Sequence, residues 1–334
     1  MDLDLSDEQR MLAEAAGAFA MRSADADVWP AMAALGWAGL PSLGDLVVLC
    51  EALGRGAVNS PVIASTVAAR SITWAGNAEQ QARWLPRLES AEAVGTMAVL
   101  EPGMTDEWDQ RGMAGLSRLT GTKLLVPWAA IAEVIVVVTA GGLYVVEPRA
   151  GGVVCRSHHG IGDDPLFAVE LQDAPAERLG DGDDHDAVVH RALDWASISR
   201  LADAVGAASR ALELTVQYAK DRRQFGRPIG SFQAVAHRCV DMRTDLDACR
   251  YLAYQAAWAL DRDESAELEV AAAKAYGNDA LRRIFGHAHQ VHGAIGFSTE
   301  HDLHLFTRRA KAFELTYGST DHHLDRVATA IGLG

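Results

Sequence analysis

The side chains able to do chemistry in this sequence are few and scattered. His287, His289 and His292 lie close together, and His322 and His323 are adjacent. A zinc site needs three or four ligands converging at about 2 Å, and residues two apart on a helix point in different directions. These rings are therefore expected to be polar, interface or ligand-facing groups, and no metal is assigned. Cys50, Cys155, Cys239 and Cys249 are far apart and form no CxxC pair, the pattern of reduced, buried thiols and not of a disulfide framework. No nucleophile motif, GxGxxG turn or P-loop occurs. The chemistry must be sought in longer strings and in the elements that position them.

The chain has 334 residues, 49% hydrophobic and 22% charged, the composition of a folded protein of two or three domains. Lys and Arg total 30 against 45 Asp and Glu, and the net charge of −15 repels nucleic-acid backbones and anionic lipid. Small molecules or protein partners are expected instead. The N-terminus starts acidic, without a basic stretch followed by an apolar core, and no run of about 18 uncharged apolar residues occurs. The expected location is the cytoplasm, with no membrane crossing and no export.

Residues 1–95 read as a shortened helical domain. Ser6, followed by Glu8 and Gln9, starts one apolar run, and DLVVLCEALGRG ends on a glycine suited to a helix terminus. Residues 96–182 change to short β-rich runs, AEVIVVVTA, GGLYVVEP and GGVVCRS, separated by Gly and Pro, which predicts a small β-sandwich or barrel. The acidic, Gly-rich DAPAERLGDGDDHD reads as a solvated connection. Residues 183–334 return to helix. Leu201, Val205, Ala208, Leu212, Val216 and Ala219 line one helix face, and Val235, Cys239, Met242, Leu246, Cys249, Ala253, Ala256 and Leu260 line another. Between these helices FGRPIGS supplies turn residues, with Ser231 as the expected N-cap. Further helices over about 265–291 and 321–332 complete a predicted four-helix bundle, making the fold α+β and multidomain.

Three strings in this order, around VLEPG (99–103), YAKDRRQFGRPIGSFQAVAHRCVDM (218–242) and QVHGAIGFSTEHDLHLFTRRAKA (290–312), resemble the acyl-CoA dehydrogenase family across nearly the whole chain. That resemblance implies FAD at a subunit interface, with the flavin ring in one chain's β domain and the adenosine and pyrophosphate end held by a neighbour's bundle. It also implies a glutamate that takes the α-proton of an acyl-CoA thioester. Arg222 and Phe225 match the arginine and aromatic that reach across the interface to FAD, and Gln290 and Gly293 match residues on the adenosine side. Arginine suits pyrophosphate because its planar donors pair with phosphate oxygens.

The ring-side and base positions depart from the family. Leu100 stands where a hydroxyl is usual, Leu125 replaces an aromatic over the flavin, and Pro127 replaces a second hydroxyl residue while lacking an N–H. Tyr317 occupies the usual glutamate position before Gly318, and Ala196, beside Ser197, occupies the alternative one. With a pKa near 10, tyrosine is a poor base for a carbon acid. No catalytic residue is assigned, and Glu314 and Asp321 are expected to be solvated or capping carboxylates.

The resemblance is nearest to the shorter, base-lacking subunit of heteromeric α2β2 enzymes of actinobacterial steroid side-chain breakdown. It implies a homologous partner carrying the glutamate, an acyl-CoA substrate and an electron-transfer flavoprotein as acceptor. Two alternatives stay open: a self-sufficient homotetrameric flavoenzyme with altered chemistry, and a flavin-free acyl-CoA-binding or scaffold homologue.

Overall fold

A computed structural model describes residues 4–22, 28–108, 112–113, 117–180, 185–262 and 265–333. In chain order the helices α1 (Asp7–Ala20), α2 (Val28–Ala34), α3 (Leu43–Arg55), α4 (Val62–Ala75) and α5 (Ala78–Glu89) come first. Strands β1 (Gly95–Ala98), β2 (Arg118–Pro127), β3 (Val134–Thr139), β4 (Gly142–Val146), β5 (Val153–His158), β6 (Leu166–Pro175) and β7 (Glu177–Arg178) follow. The rest is α6 (His185–Asp221), a ribbon of β8 (Arg223–Gln224) and β9 (Arg227–Pro228), α7 (Gln233–Asp261), α8 (Glu267–His292), α9 (Leu303–Glu314) and α10 (Thr320–Ala330). Helix, strand and helix regions thus succeed one another as the sequence implies. Two compact units form, and both draw on the N-terminal helices: residues 1–26, 42–58 and 197–334 make one, residues 27–41 and 59–196 the other.

The sheet unit stacks two sheets, ordered β1-β3-β4-β7 and β2-β6-β5. Ile135, Val137, Tyr144 and Val146 of the first share one core with Leu119, Val126, Val169 and Leu171 of the second, which makes the domain a sandwich. All six residues of β3 are buried. With α4 packed on the other face of this sheet, the strand reads as a continuous apolar run instead of an alternation. β1 pairs parallel to β3, and β3 with β4 forms a hairpin. The segment expected to be a solvated connection contains β7, paired to β4, and the buried Leu179; residues 181–184 of it lie outside the described residues.

The bundle unit is built on the apolar stripes of α6 and α7. Leu201, Val205 and Ala208 are buried on one, and Met242, Leu246, Cys249, Ala253 and Ala256 on the other. Ser6 caps α1, accepting from the Gln9 N–H while the Gln9 side chain accepts from the Ser6 N–H, a capping box. Gly56 is the C-cap of α3, as the sequence implies, and glycines inside α3 and α6 serve close contact. A Cβ on Gly54 would lie 1.9 Å from the Asp203 carbonyl oxygen, and one on Gly206 would lie 1.9 Å from that of Glu51, so α3 and α6 touch backbone to backbone. Ser231 is not the N-cap of α7. Its hydroxyl donates to the Pro228 carbonyl at 2.7 Å, and Phe232 takes the cap position without a side-chain bond. α9 is a helix beyond those expected.

All four cysteines are free thiols. Burial pushes each one up, Cys249 to about 12. Among the described residues no helix is long and apolar enough to cross a membrane.

Candidate functional site

The connection between α6 and α7 folds as a two-residue hairpin whose turn residues are Phe225 (φ +52°) and Gly226 (φ +78°). Positive φ at both positions suits the right-handed twist of a tight ribbon. Glycine takes it freely, whereas phenylalanine pays about 1–2 kcal/mol. The Phe225 ring is also 91% exposed and lies edge-on to Phe232 at 6.1 Å between centroids. A strained backbone and an exposed phenyl ring thus meet at one position. Arg222 begins the hairpin with an exposed side chain, and its carbonyl accepts from the Ile229 N–H at 2.8 Å. The Arg227 guanidinium lies 4.1 Å over the Phe232 ring and stiffens the second strand.

Gln290 lies exposed in the last turn of α8, which stops at His292 because Gly293 turns to φ +63°. The ring of His292 stacks on Tyr218, centroids 4.8 Å apart, so the ends of α6 and α8 adjoin. The structure thereby brings Arg222 and Phe225 to the same end of the bundle unit as Gln290 and Gly293. His289 bonds Thr307 through Nε2 at 2.9 Å and stacks on Phe297, while His287 Nδ1 lies 2.8 Å from Arg238. Burial lowers the pKa of both His289 and His292. Among the described residues no three His, Cys, Asp or Glu converge as metal ligands.

Tyr317 occupies a strained turn, at φ +57° followed by Gly318 at +92°. The turn is clamped from below. Lys274, fully buried, donates to Asn278 Oδ1 at 2.7 Å and to the carbonyls of Phe313 and Gly318 at 3.2 Å each, and His323 Nε2 lies 2.7 Å from the Tyr317 carbonyl oxygen. Glu314 is held by Arg282 at 2.8 Å and Lys311 at 2.9 Å. Burial works upward on its carboxyl, but the two cations outweigh it and hold it below the ordinary range. Such a paired carboxylate is a weak base.

In the sheet unit the strings around Leu100 and Leu125 do meet. The Leu124 N–H donates to the Leu100 carbonyl at 2.8 Å. Lys123, 1% exposed, reaches the Val99 carbonyl at 2.8 Å and Glu101 at 2.6 Å. Burial lowers the Lys123 pKa, and the Glu101 carboxylate opposes that shift. Glu101 also accepts from the Met113 N–H. A bulge in β2 puts Leu125 at φ +53° and leaves it 40% exposed. Leu100 and Pro127 are half-buried, and the Pro127 carbonyl is taken by the Thr96 hydroxyl at 2.7 Å. Ala196 is buried in α6 and carries no acid.

These residues fit one half of a dinucleotide flavin and not the other. The exposed guanidinium and outward phenyl ring suit a charged, flat ligand end. The side chains of Leu100, Leu125 and Pro127 themselves carry no donor, and each flavin heteroatom left unsatisfied costs about 1–3 kcal/mol. Sequence reasoning missed two buried lysines. A lone Lys in the β run GTKLLV and a Lys four residues before Asn in VAAAKAYGN were the available signals.

Comparison with known proteins gives the family and the fold. The models of the acyl-CoA dehydrogenase N-terminal and C-terminal domains match residues 6–92 and 187–332. The chain is 32% identical over 276 residues to the acyl-CoA dehydrogenase IpdE2 of Mycobacterium tuberculosis, covering 83% of this chain and 74% of the relative. It superposes on the FAD complex of PigA with a TM-score of 0.90 at 25% identity, covering all of both chains. The ChsE4-ChsE5 complex from Mycobacterium tuberculosis gives a TM-score of 0.87 at 25% identity, again over all of both chains.

Proposed function

We propose, on the premise that this chain belongs to the acyl-CoA dehydrogenase family, that it is the FAD-contacting, non-catalytic subunit of a heteromeric dehydrogenase. The holoenzyme introduces an α,β double bond into an acyl-CoA whose acyl group carries a bulky polycyclic body, as a steroid side chain does. It works in the cytoplasm and passes electrons to an electron-transfer flavoprotein. The observation that carries the reading is the contrast between Tyr317 in the base turn and the outward-held Arg222 and Phe225.

In this reading Arg222 pairs the pyrophosphate, Phe225 covers the ligand's flat portion, and Gln290 hydrogen-bonds the adenosine side where Gly293 lets the backbone come close. FAD, when bound, supplies the hydride acceptor. A homologous partner supplies the carboxylate that removes the α-proton and the donors that Leu100, Leu125 and Pro127 lack. Tyr317 offers a phenol where the family has a carboxylate, a poor base for a carbon acid. Exposed Val240 and Tyr251 on α7, 60% and 53% accessible, give the bundle apolar surface for such a partner. The ChsE4-ChsE5 complex, a two-chain assembly on this fold, supports the same arrangement.

The test is the visible spectrum and native mass of the chain alone and co-expressed with the homologue encoded beside it. A colourless lone chain that becomes a yellow complex with about one FAD per pair of unlike chains is expected, and Arg222→Ala removes the colour. A yellow homotetramer with FAD in every chain overturns the reading.

A further inference from the structure

We propose that the end of α8 is an acid-operated latch: a proton on His292 parts its ring from Tyr218, frees the join between the ends of α6 and α8, and so loosens the hold of this chain on FAD. The proposal rests on the reading of Arg222, Phe225, Gln290 and Gly293 as FAD contacts and adds a control to that site.

His292 is 3% exposed. Its Nδ1 lies 2.8 Å from the Ala288 carbonyl oxygen, which can only accept, so this nitrogen carries the hydrogen of the neutral ring and Nε2 keeps a bare lone pair. That lone pair is buried and meets no hydrogen-bond donor among the described residues. The groups around the ring come from each element packed on it. α6 gives the Tyr218 face, at 4.8 Å between centroids and 22° from parallel. The segment after α8 gives His301, edge-on at 4.7 Å and flanked by the exposed Glu300 and Asp302. α8 itself gives His289, one turn back, whose Nε2 is held by Thr307 of α9 at 2.9 Å. His304 of α9 stands behind His301, its Nδ1 2.9 Å from the His301 carbonyl oxygen. Gly296 closes the shell, since a Cβ there would lie 2.9 Å from that of His292.

A second proton on this ring arrives at Nε2, where the new N–H finds an aromatic face and other imidazoles but no acceptor. The Tyr218 face attracts an imidazolium, but by less than an unpaired buried charge costs. The charges that act on His292 are those of His301 and His289, which repel it once they are protonated, and among the described residues no carboxylate offsets them. Burial first, and then these two neighbours, hold the ring neutral at neutral pH against the pull of the Ala288 carbonyl. The latch is therefore shut there and opens on the acid side. Both FAD segments hang on it. The Arg222 N–H bonds the Tyr218 carbonyl at 2.8 Å, and Gln290 and Gly293 stand on either side of His292.

Hydrogen exchange of the full chain at pH 7 and pH 5, corrected for the intrinsic pH dependence of exchange, tests the latch. Residues 214–224 and 288–300 are expected to lose protection at pH 5 by at least about tenfold more than the core of α7. His292→Phe keeps a ring on Tyr218 and cannot titrate, so in that variant the two segments are expected to track the α7 core. In an NMR titration of the natural chain the ring signals of His292 and Tyr218 are expected to shift with one midpoint, which decides the matter without a variant should His292→Phe not fold. In the complex, FAD leaves at least about tenfold faster at pH 5 than at pH 7, and His292→Phe removes that difference. Unchanged protection at pH 5, a His292 that protonates while Tyr218 stays in place, FAD release independent of pH, or the full pH effect in His292→Phe overturns the proposal. A complex that holds no FAD even at pH 7 sinks the dehydrogenase reading, and the last step of the proposal with it. The exchange experiment needs neither flavin nor partner, so it decides the latch separately.

Discussion

Tyr218 and His292 stack with ring centroids 4.8 Å apart and planes 22° from parallel. Tyr218 accepts at its carbonyl from the Arg222 N–H one turn later, and His292 stands between Gln290 and Gly293. The stack is what registers the two segments assigned to FAD. Tyr218→Ala is expected to destabilise the chain by about 2 kcal/mol and to lower the FAD content of the complex, while Tyr218→Phe keeps both. Flavin absorbance and thermal unfolding of the complex check this. Full FAD content in Tyr218→Ala would separate the stack from cofactor binding.

Phe225 is the turn residue where function and stability pull apart. Asparagine tolerates positive φ and Asn-Gly is a favoured two-residue turn, so Phe225→Asn is expected to raise stability by about 1 kcal/mol. The same substitution removes the exposed ring and is expected to reduce FAD retention by the complex. Urea unfolding of the chain, with flavin content of the complex, reads both effects. A variant that is less stable, or that keeps all its flavin, contradicts the role assigned to the ring.

The long helices α6 and α7 were legible because their buried residues repeat at three and four over many turns. α9 carried the same signal, with Leu303, Phe306, Ala310 and Phe313 buried at helical spacing, but its histidines and charges made QVHGAIGFSTEHDLHLF read as a motif and not as an element. Pairings between distant segments left no local trace. Asp261 accepts from the Leu43 and Gly44 N–H groups at 2.7 and 2.8 Å, capping α3 from more than two hundred residues away. Periodicity cannot announce such a partner. The candidate site was chosen by residue type, Arg222 and Gln290 on one side and Leu100, Leu125 and Tyr317 on the other. The positive φ of Phe225, Leu125 and Tyr317 was not legible, since none of the three is itself the glycine or asparagine that usually marks one, although Gly226 and Gly318 stand beside two of them.

Arg309 and Asp203 form a buried ion pair, Nε to Oδ2 at 2.7 Å, with the two side chains 9% and 5% exposed. Arg309 also donates to Asp203 Oδ1 at 2.8 Å and to the Val58 carbonyl at 2.6 Å. Removing the cation leaves a buried carboxylate beside the α3–α6 crossing, so Arg309→Met is expected to cost about 3–5 kcal/mol. The double variant Arg309→Met with Asp203→Leu is expected to recover part of that loss, because no uncompensated charge remains. Denaturant midpoints of the two variants decide the matter, and equal midpoints would show that packing and not charge sets the cost.

Tyr317→Glu restores the acid at the base turn but not the donors lost at Leu100 and Pro127. The lone variant chain is expected to stay colourless and to show no acyl-CoA-dependent dye reduction. In the proposed complex, the rate is expected to stay within about twofold of the unsubstituted enzyme, because that reading assigns proton removal to the partner's carboxylate. Dye reduction by the lone variant would mean that the chain completes a flavin site by itself.

Stability should fall on the acid side through His323. Burial is the largest influence on this ring, and with the nearby charges of Lys274, Arg326 and His322 it drives the pKa down to about 3, against the opposing hydrogen bond to the Tyr317 carbonyl. The unfolded chain protonates this histidine near pH 6.5, whereas the folded chain stays neutral until about pH 3. Between those values the unfolded state holds one more proton. Folding therefore loses about 1.4 kcal/mol per pH unit as pH falls, and the contribution is complete above the unfolded value. His289 and His292, also shifted down, act with the same sign. His323→Gln keeps a donor for the Tyr317 carbonyl but cannot titrate. Between about pH 7 and pH 5, urea unfolding should then show a loss of stability smaller by about 2 kcal/mol in all than that of the natural chain. An unchanged slope would mean that His323 is protonated in the folded protein and that the clamp beneath Tyr317 carries a positive charge there.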